Sequence, residues 1–431
     1  MALTAPDPSR RPTTGRGAAT RLVFLAGAAL VPFNYFIGIA VGDITIHLLE
    51  FWVVVLLAMT VLLQPRLLLE TTDTPTLLLW TTFAFVLMST VLATPAEFRI
   101  RGLLDNALLA INLLGFTLTY AYLRNDPPLW LRFARVTFGS SLIASVYLAA
   151  RALSVAQSGV FLLPDSFVLG IGTVGGTYTA AFAALSMVGF TFGTTRLMRW
   201  IMVLGIIVHG MAASFALARG PWLALGIAFV ACVILGLWVR PRLERPIVAL
   251  ARAGFATLLL LTVAFSTALE NQVFARYFAP RVAEIGNLGS GSGHTRLTLF
   301  LALLDDVRNS PLFGHGAAAY RSIATLLGTE ASISENFLLE ILHAGGAAAA
   351  VPLGFAWLIV LLRAVRSTRL PGQRGITLAC LACALALMLA SLSNPAAWNA
   401  SFWLLVAATA ALRFTFPVTT AHRVALEPGV P

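Results

Sequence analysis

Lysine is absent from this chain of 431 residues, so all 29 basic side chains are arginine. Charge of either sign is scarce, at 11% of residues against 58% hydrophobic. A water-soluble protein of this length needs far more charge to cover its surface, so that class is excluded. Cysteine is scarcer still. Cys232, Cys380 and Cys383 all lie in apolar segments, which rules out a disulfide framework. Cys380 and Cys383 stand at helical spacing, but no second pair or histidine set accompanies them, and they read as small packing residues rather than a zinc site. Acidic residues number 18, leaving a net charge of +11. The arginines gather in short loops between apolar segments, as retention of positive charge on the cytoplasmic side requires, so the excess does not point to nucleic acid.

What the chain has in abundance is apolar runs about 20 residues long, the length that crosses a bilayer as helix. They recur from Leu22 onward, and the mean hydropathy is +0.86. The expected fold is an all-α polytopic membrane protein of about twelve spans: 21–40, 46–64, 76–93, 102–123, 134–153, 176–195, 199–217, 222–239, 249–269, 336–362, 376–393 and 398–416. Residues 1–20, rich in Pro, Arg, Ser and Thr, read as a disordered cytoplasmic tail. Residues 21–416 form one membrane domain with an uncleaved first helix, and 417–431 a second cytoplasmic tail. The arginines test this alternation. Arg99, Arg101, Arg151, Arg219, Arg276, Arg281, Arg296, Arg308 and Arg321 fall outside, and the other twenty fall inside.

Outer connections are short except for one, about 270–334, which carries G-N-L-G-S-G-S-G-H, a short helix over 295–307 and then N-S-P-L-F-G-H-G. A loop that long within a compact chain is usually functional or disordered. In A-L-A-R-G-P-W-L-A-L, Arg219 stands in a tight turn beside a helix N-terminus beginning at Pro221. That combination holds a phosphate well, either of a ligand or of a lipid headgroup to which the arginine snorkels. Arg296 opens the loop helix against its dipole and asks for an anionic partner or for solvent. His294 precedes it in a Gly/Ser setting. His315 lies between the glycines of P-L-F-G-H-G, a stretch suited to a positive-φ turn or to close approach of backbone to a ligand.

The segment I-S-E-N-F-L-L-E-I-L-H-A-G-G (333–346) opens the tenth span with polar groups. Ser334 is placed to cap it, with Glu335 and Asn336 in its first turn. Asn336, Glu340 and His343 fall within about 60° on one face. Glu340 and His343 lie one and two turns deeper than capping explains. Ionisable groups at such depth face a cavity or a partner. Arg101 and Asp105, at i and i+4, are set to pair.

These residues, in order, resemble the O-antigen ligase and O-antigen polymerase superfamily: A-R-G-P-W, then Arg296 leading into N-S-P-L-F-G-H-G-A-A-A-Y, then S-E-N-F-L-L-E-I-L-H-A-G-G. The likeness covers about 200–350; the N-terminal half matches as hydrophobic architecture. It implies a glycosyltransferase at the outer face of the plasma (inner) membrane, acting on a polyprenyl-pyrophosphate-linked glycan with a glycan or lipid acceptor. It implies no metal and no cofactor. Arg219 and Arg296 would hold the donor pyrophosphate, and Glu335 or His343 would activate the acceptor hydroxyl. Asn336, Glu340, His294 and His315 are further candidates for substrate binding. Ligases commonly carry histidine where this chain has Glu335, which turns the expectation toward a polymerase of a cell-envelope or exopolysaccharide glycan. Two rivals stand beside it. One is a transporter or flippase of lipid-linked sugars or small solutes. The other is a polyprenol-phosphate glycosyltransferase, disfavoured by the short first outer loop V-G-D-I-T-I-H.

Overall fold

The computed structural model describes residues 16–34, 38–41, 44–69, 72–157, 173–215, 219–238, 246–269, 291–327, 336–369, 374–393 and 395–415. The described residues are almost entirely helical: α1 (Arg16–Leu30), α2 (Leu48–Leu63), α3 (Pro65–Leu69), α4 (Thr74–Ala93), α5 (Ala96–Asn125), α6 (Pro127–Gln157), α7 (Thr173–Phe192), α8 (Arg196–Phe215), α9 (Arg219–Trp238) and α10 (Pro246–Leu269). Then follow α11 (Gly291–Val307), α12 (Tyr320–Leu326), α13 (Phe337–Ser367), α14 (Arg374–Ala390), a 3-10 turn (Pro395–Trp398) and α15 (Ala400–Thr415). Among the described residues, seven helices are long and apolar enough to cross a membrane, and four shorter ones are apolar. This is a helical membrane protein. In hydrocarbon every backbone N–H and C=O must bond within its own segment, which explains why such runs become helix.

Punctuation comes from proline and short polar caps. α3, α6 and α10 each begin at proline, which fits the first helical position because its missing N–H leaves no donor unpaired. Asp73 caps α4, its Oδ1 accepting from Thr74 N at 2.7 Å. The flanks of α8, α9 and α10 expose Trp200, Leu223, Ile234, Leu258 and Phe265, a surface suited to lipid. α7 and α15 are buried almost all round, with Trp403, Phe402 and Trp130 fully enclosed about them.

One expectation needs correcting here. The first apolar run is not one helix to residue 40. α1 begins within the expected tail, at Arg16, and ends at Leu30. Strands β1 (Gly38–Val41) and β2 (Ile44–His47) then pair antiparallel, Gly38 opposite His47. Asn34 fixes the exit from α1. Its Oδ1 accepts from Leu49 N at 2.7 Å and its Nδ2 donates to Asn399 Oδ1 at 2.8 Å. The last two helices, 374–390 and 400–415, lie within a few residues of the expected 376–393 and 398–416 and are separated by the 3-10 turn.

α13 is broken. Gly346 adopts φ +62 and ψ −162 within it, so Ala347 N and Ala348 N lose their usual acceptors four residues back, His343 O and Ala344 O. The turn 311–316 takes all four groups. His315 N and Gly316 N donate to His343 O and Ala344 O, each at 2.8 Å. Ala347 N and Ala348 N donate to Pro311 O at 2.9 Å and Leu312 O at 3.0 Å. No backbone group is orphaned by the exchange, which is what allows irregular chain at membrane depth.

Candidate functional site

The docked turn depends on glycine. Gly314 and Gly316 hold φ of +67 and +86, and a Cβ on Gly316 would stand 2.0 Å from Thr94 Oγ1. α4 supplies the matching polar ledge. Ser89 Oγ donates to Phe313 O, and Thr90 Oγ1 accepts from Ala317 N at 2.9 Å and from Asn106 Nδ2 at 2.8 Å. The positive-φ turn expected of P-L-F-G-H-G is therefore present, and the backbone it approaches is α13.

That docking aligns three ionisable side chains. His343 Nε2 lies 2.9 Å from Asp306 Oδ2, in the last turn of α11. His315 Nε2 lies 3.0 Å from Asp306 O and 3.4 Å from its Oδ2. The two imidazoles stack with centroids 5.1 Å apart. Carbonyl and carboxylate oxygens only accept, so each ring carries its hydrogen on Nε2. Partial burial alone would raise the Asp306 carboxyl. Hydrogen bonds from His343 and Asn309, with the neighbouring imidazoles, outweigh it and hold the group below the usual carboxylate range.

The other candidates divide. Asn336, not Ser334, is the helix cap: its Oδ1 accepts from Leu339 N at 3.0 Å and α13 starts at Phe337. Capping thus gives Asn336 a structural role. Glu340, buried, accepts from Trp398 Nε1 at 2.9 Å, so it faces the 3-10 turn while His343 faces α11. Asn336, Glu340 and His343 share a helix face, on which Asn336 caps the helix, Glu340 holds Trp398 and His343 meets Asp306. Arg101 and Asp105 pair as expected, at 3.0 Å. Glu335 lies outside the described residues, and so do the side chains of Arg219, Arg296 and His294.

The backbone nevertheless relates these positions. A Cβ on Gly220, next to Arg219 at the start of α9, would meet Ser393 Oγ at 2.2 Å. Two residues before Ser393, Ser391 O accepts from Phe337 N at 3.0 Å. The starts of α9 and α13 therefore flank one turn, 391–393. Arg296 lies on α11, three turns before Asp306 binds His343.

Asp306 was missed by sequence reasoning, although one signal existed. Asp305 and Asp306 sit at the C-terminal end of α11, where the helix dipole disfavours acid, so a partner was to be sought. Trp398 gave no signal beyond being an interfacial aromatic. Compared with known proteins, the chain matches no family model and no curated sequence.

Proposed function

We propose that this chain is a membrane glycosyltransferase that polymerises or transfers a polyprenyl-pyrophosphate-linked oligosaccharide at the outer face of the plasma membrane, in the building of a cell-envelope or exopolysaccharide glycan. In this reading α1, α2, α4 to α10 and α13 to α15 are twelve spans, both termini are cytoplasmic, and residues 270–334 form the outer loop. The observation that carries it is convergence. Three short stretches far apart in sequence are linked through α13: the start of α9 and the head of α13 flank the turn 391–393, and the turn 311–316 docks on α13 at residues 343–348.

The chemistry follows from the residue types. The acceptor hydroxyl oxygen attacks the anomeric carbon while the bond from that carbon to the pyrophosphate oxygen breaks. The electron pair leaves on pyrophosphate, where the guanidinium groups of Arg219 and Arg296 would offer donors to the developing charge without a metal. The hydroxyl proton passes to Glu335 or His343. Attack opposite the leaving group inverts the anomeric configuration.

Transport is the second reading, and the break in α13 is what favours it, since discontinuous helices hold substrates in transporters. There the freed backbone groups face a cavity; here residues 311–316 occupy all four. Product laddering from a lipid-linked oligosaccharide separates the readings from flux into vesicles. Arg219→Ala and Arg296→Ala are expected to abolish laddering, and lysine at either site to restore it only partly because the two-pronged geometry is lost. Full laddering in both alanine variants would remove the mechanism.

A further inference from the structure

Asp306, His315 and His343 bring three metal-ligating side chains together at the seam between the turn 311–316 and α13. We propose that these three side chains form a site for one divalent transition-metal cation, Zn²⁺ before others, which clips the turn 311–316 to α13 across its break.

The three donor atoms lie within 4.8 Å of one another. Two ligand atoms each about 2.1 Å from one cation stand about 3.0 Å apart at a right angle and about 3.4 Å apart at a tetrahedral angle. Asp306 Oδ2 is 2.9 Å from His343 Nε2 and 3.4 Å from His315 Nε2, the separations of neighbouring ligands around a shared ion. His315, whose side chain is 27% exposed, has room to turn toward a shared ion, while His343 at 2% is enclosed. Each ring then binds through Nε2 and carries its hydrogen on Nδ1, the neutral ligand form.

The surroundings suit such a site. Asn309 Nδ2 donates to Asp306 Oδ1 at 3.2 Å, orienting the carboxylate through its other oxygen, as partners of metal ligands commonly do. Arg308 does not compete for Asp306, because it pairs with Asp305 at 2.9 Å. Two imidazoles and one carboxylate favour Zn²⁺ over Mg²⁺ or Ca²⁺, which take oxygen ligands. Asp306 is 30% exposed, so the site opens on one side and leaves a coordination position for water or an oxyanion. The assignment does not rest on glycan transfer. Should that reading hold as well, His343 is committed to the ion, and Glu335 takes the acceptor proton.

The test is Zn²⁺ titration of the untagged, chelator-stripped full chain in detergent by calorimetry, with Co²⁺ absorption reporting the ligand set. One equivalent is expected to bind and to raise the thermal midpoint. His315→Gln and Asp306→Asn are expected to weaken binding by at least about 100-fold, and Asn309→Ala by about 10-fold. His315 is partly exposed, so its variant folds and keeps the experiment decisive. Absence of one-equivalent binding, or wild-type affinity in both ligand variants, overturns the site. Neither outcome bears on laddering, which is scored separately.

Discussion

One helix, α13, carries charge at both ends and treats it in two ways. Near its last turns Arg363, buried, donates Nη1 and Nη2 to the two oxygens of Asp73 at 2.8 and 2.9 Å, and Nη1 also to Tyr120 Oη at 2.9 Å. Tyr120 Oη in turn donates to Asp73. Arg124 and Arg413 stand over the ring of Phe414, which faces Tyr120 edge-on. This is a two-pronged pair closed on itself, and it joins α13 to α4 and α5. At the Phe337 end the polar groups meet elements that come from elsewhere in the chain, and they reach the surface through Asp306 and His315. The difference teaches that a buried charge is not by itself a functional sign. Saturated, pre-oriented pairs hold helices together, whereas half-open sets of titratable groups leave capacity for a ligand.

The largest expected effect lies at the closed end. Arg363→Ala leaves Asp73 without its counter-charge, and its cost is expected to be about 3–5 kcal/mol of stability, read as a lower unfolding midpoint in detergent. A change below about 1 kcal/mol would show that the pair is incidental. A smaller loss is expected at the break. Gly346→Ala sets a side chain at φ +62 with its Cβ 2.3 Å from Leu312 C, so the turn must lift. The backbone penalty is about 1–3 kcal/mol. Hydrogen exchange should speed at His315 N, Gly316 N, Ala347 N and Ala348 N together; unchanged protection there would contradict the interlock.

The smallest effect separates the ends by pH. Burial would raise the Asp73 carboxyl, but bonds from Arg363 and Tyr120 prevail and hold it well below the usual carboxylate range. A depressed carboxyl contributes stability that is present above its unfolded value and lost as pH falls toward its folded one. The stability gap between the wild type and Asp73→Asn should therefore stay constant from about pH 8 to 5 and shrink only below about pH 4. A gap that closes near neutrality would mean that Asp73 is not held in this way.

Most helices were legible because apolar length is the dominant signal in lipid, but their starts were read late, at 134 and 249 where the helices begin at Pro127 and Pro246. The end of α1 was not, because the run after Pro32 stays apolar while its alternating Ile39, Ile44 and Ile46 pair as strands instead. The break at Gly346 was equally silent, since glycine pairs are frequent in membrane helices and only the distant turn 311–316 explains this one. The positive-φ turn and the depth of Glu340 and His343 were readable from residue type. Their partners Trp398 and Asp306, 58 and 37 residues away, were not, because nothing local records a long-range contact.

The comparison is tested most directly by laddering and thermal midpoint measured side by side for Arg296→Ala and Arg363→Lys. The account predicts that Arg296→Ala ladders no product at a wild-type midpoint, while Arg363→Lys, having lost two-pronged pairing, melts lower yet still ladders. An active Arg296→Ala beside a stable but inactive Arg363→Lys would reverse the roles of the two ends and contradict it.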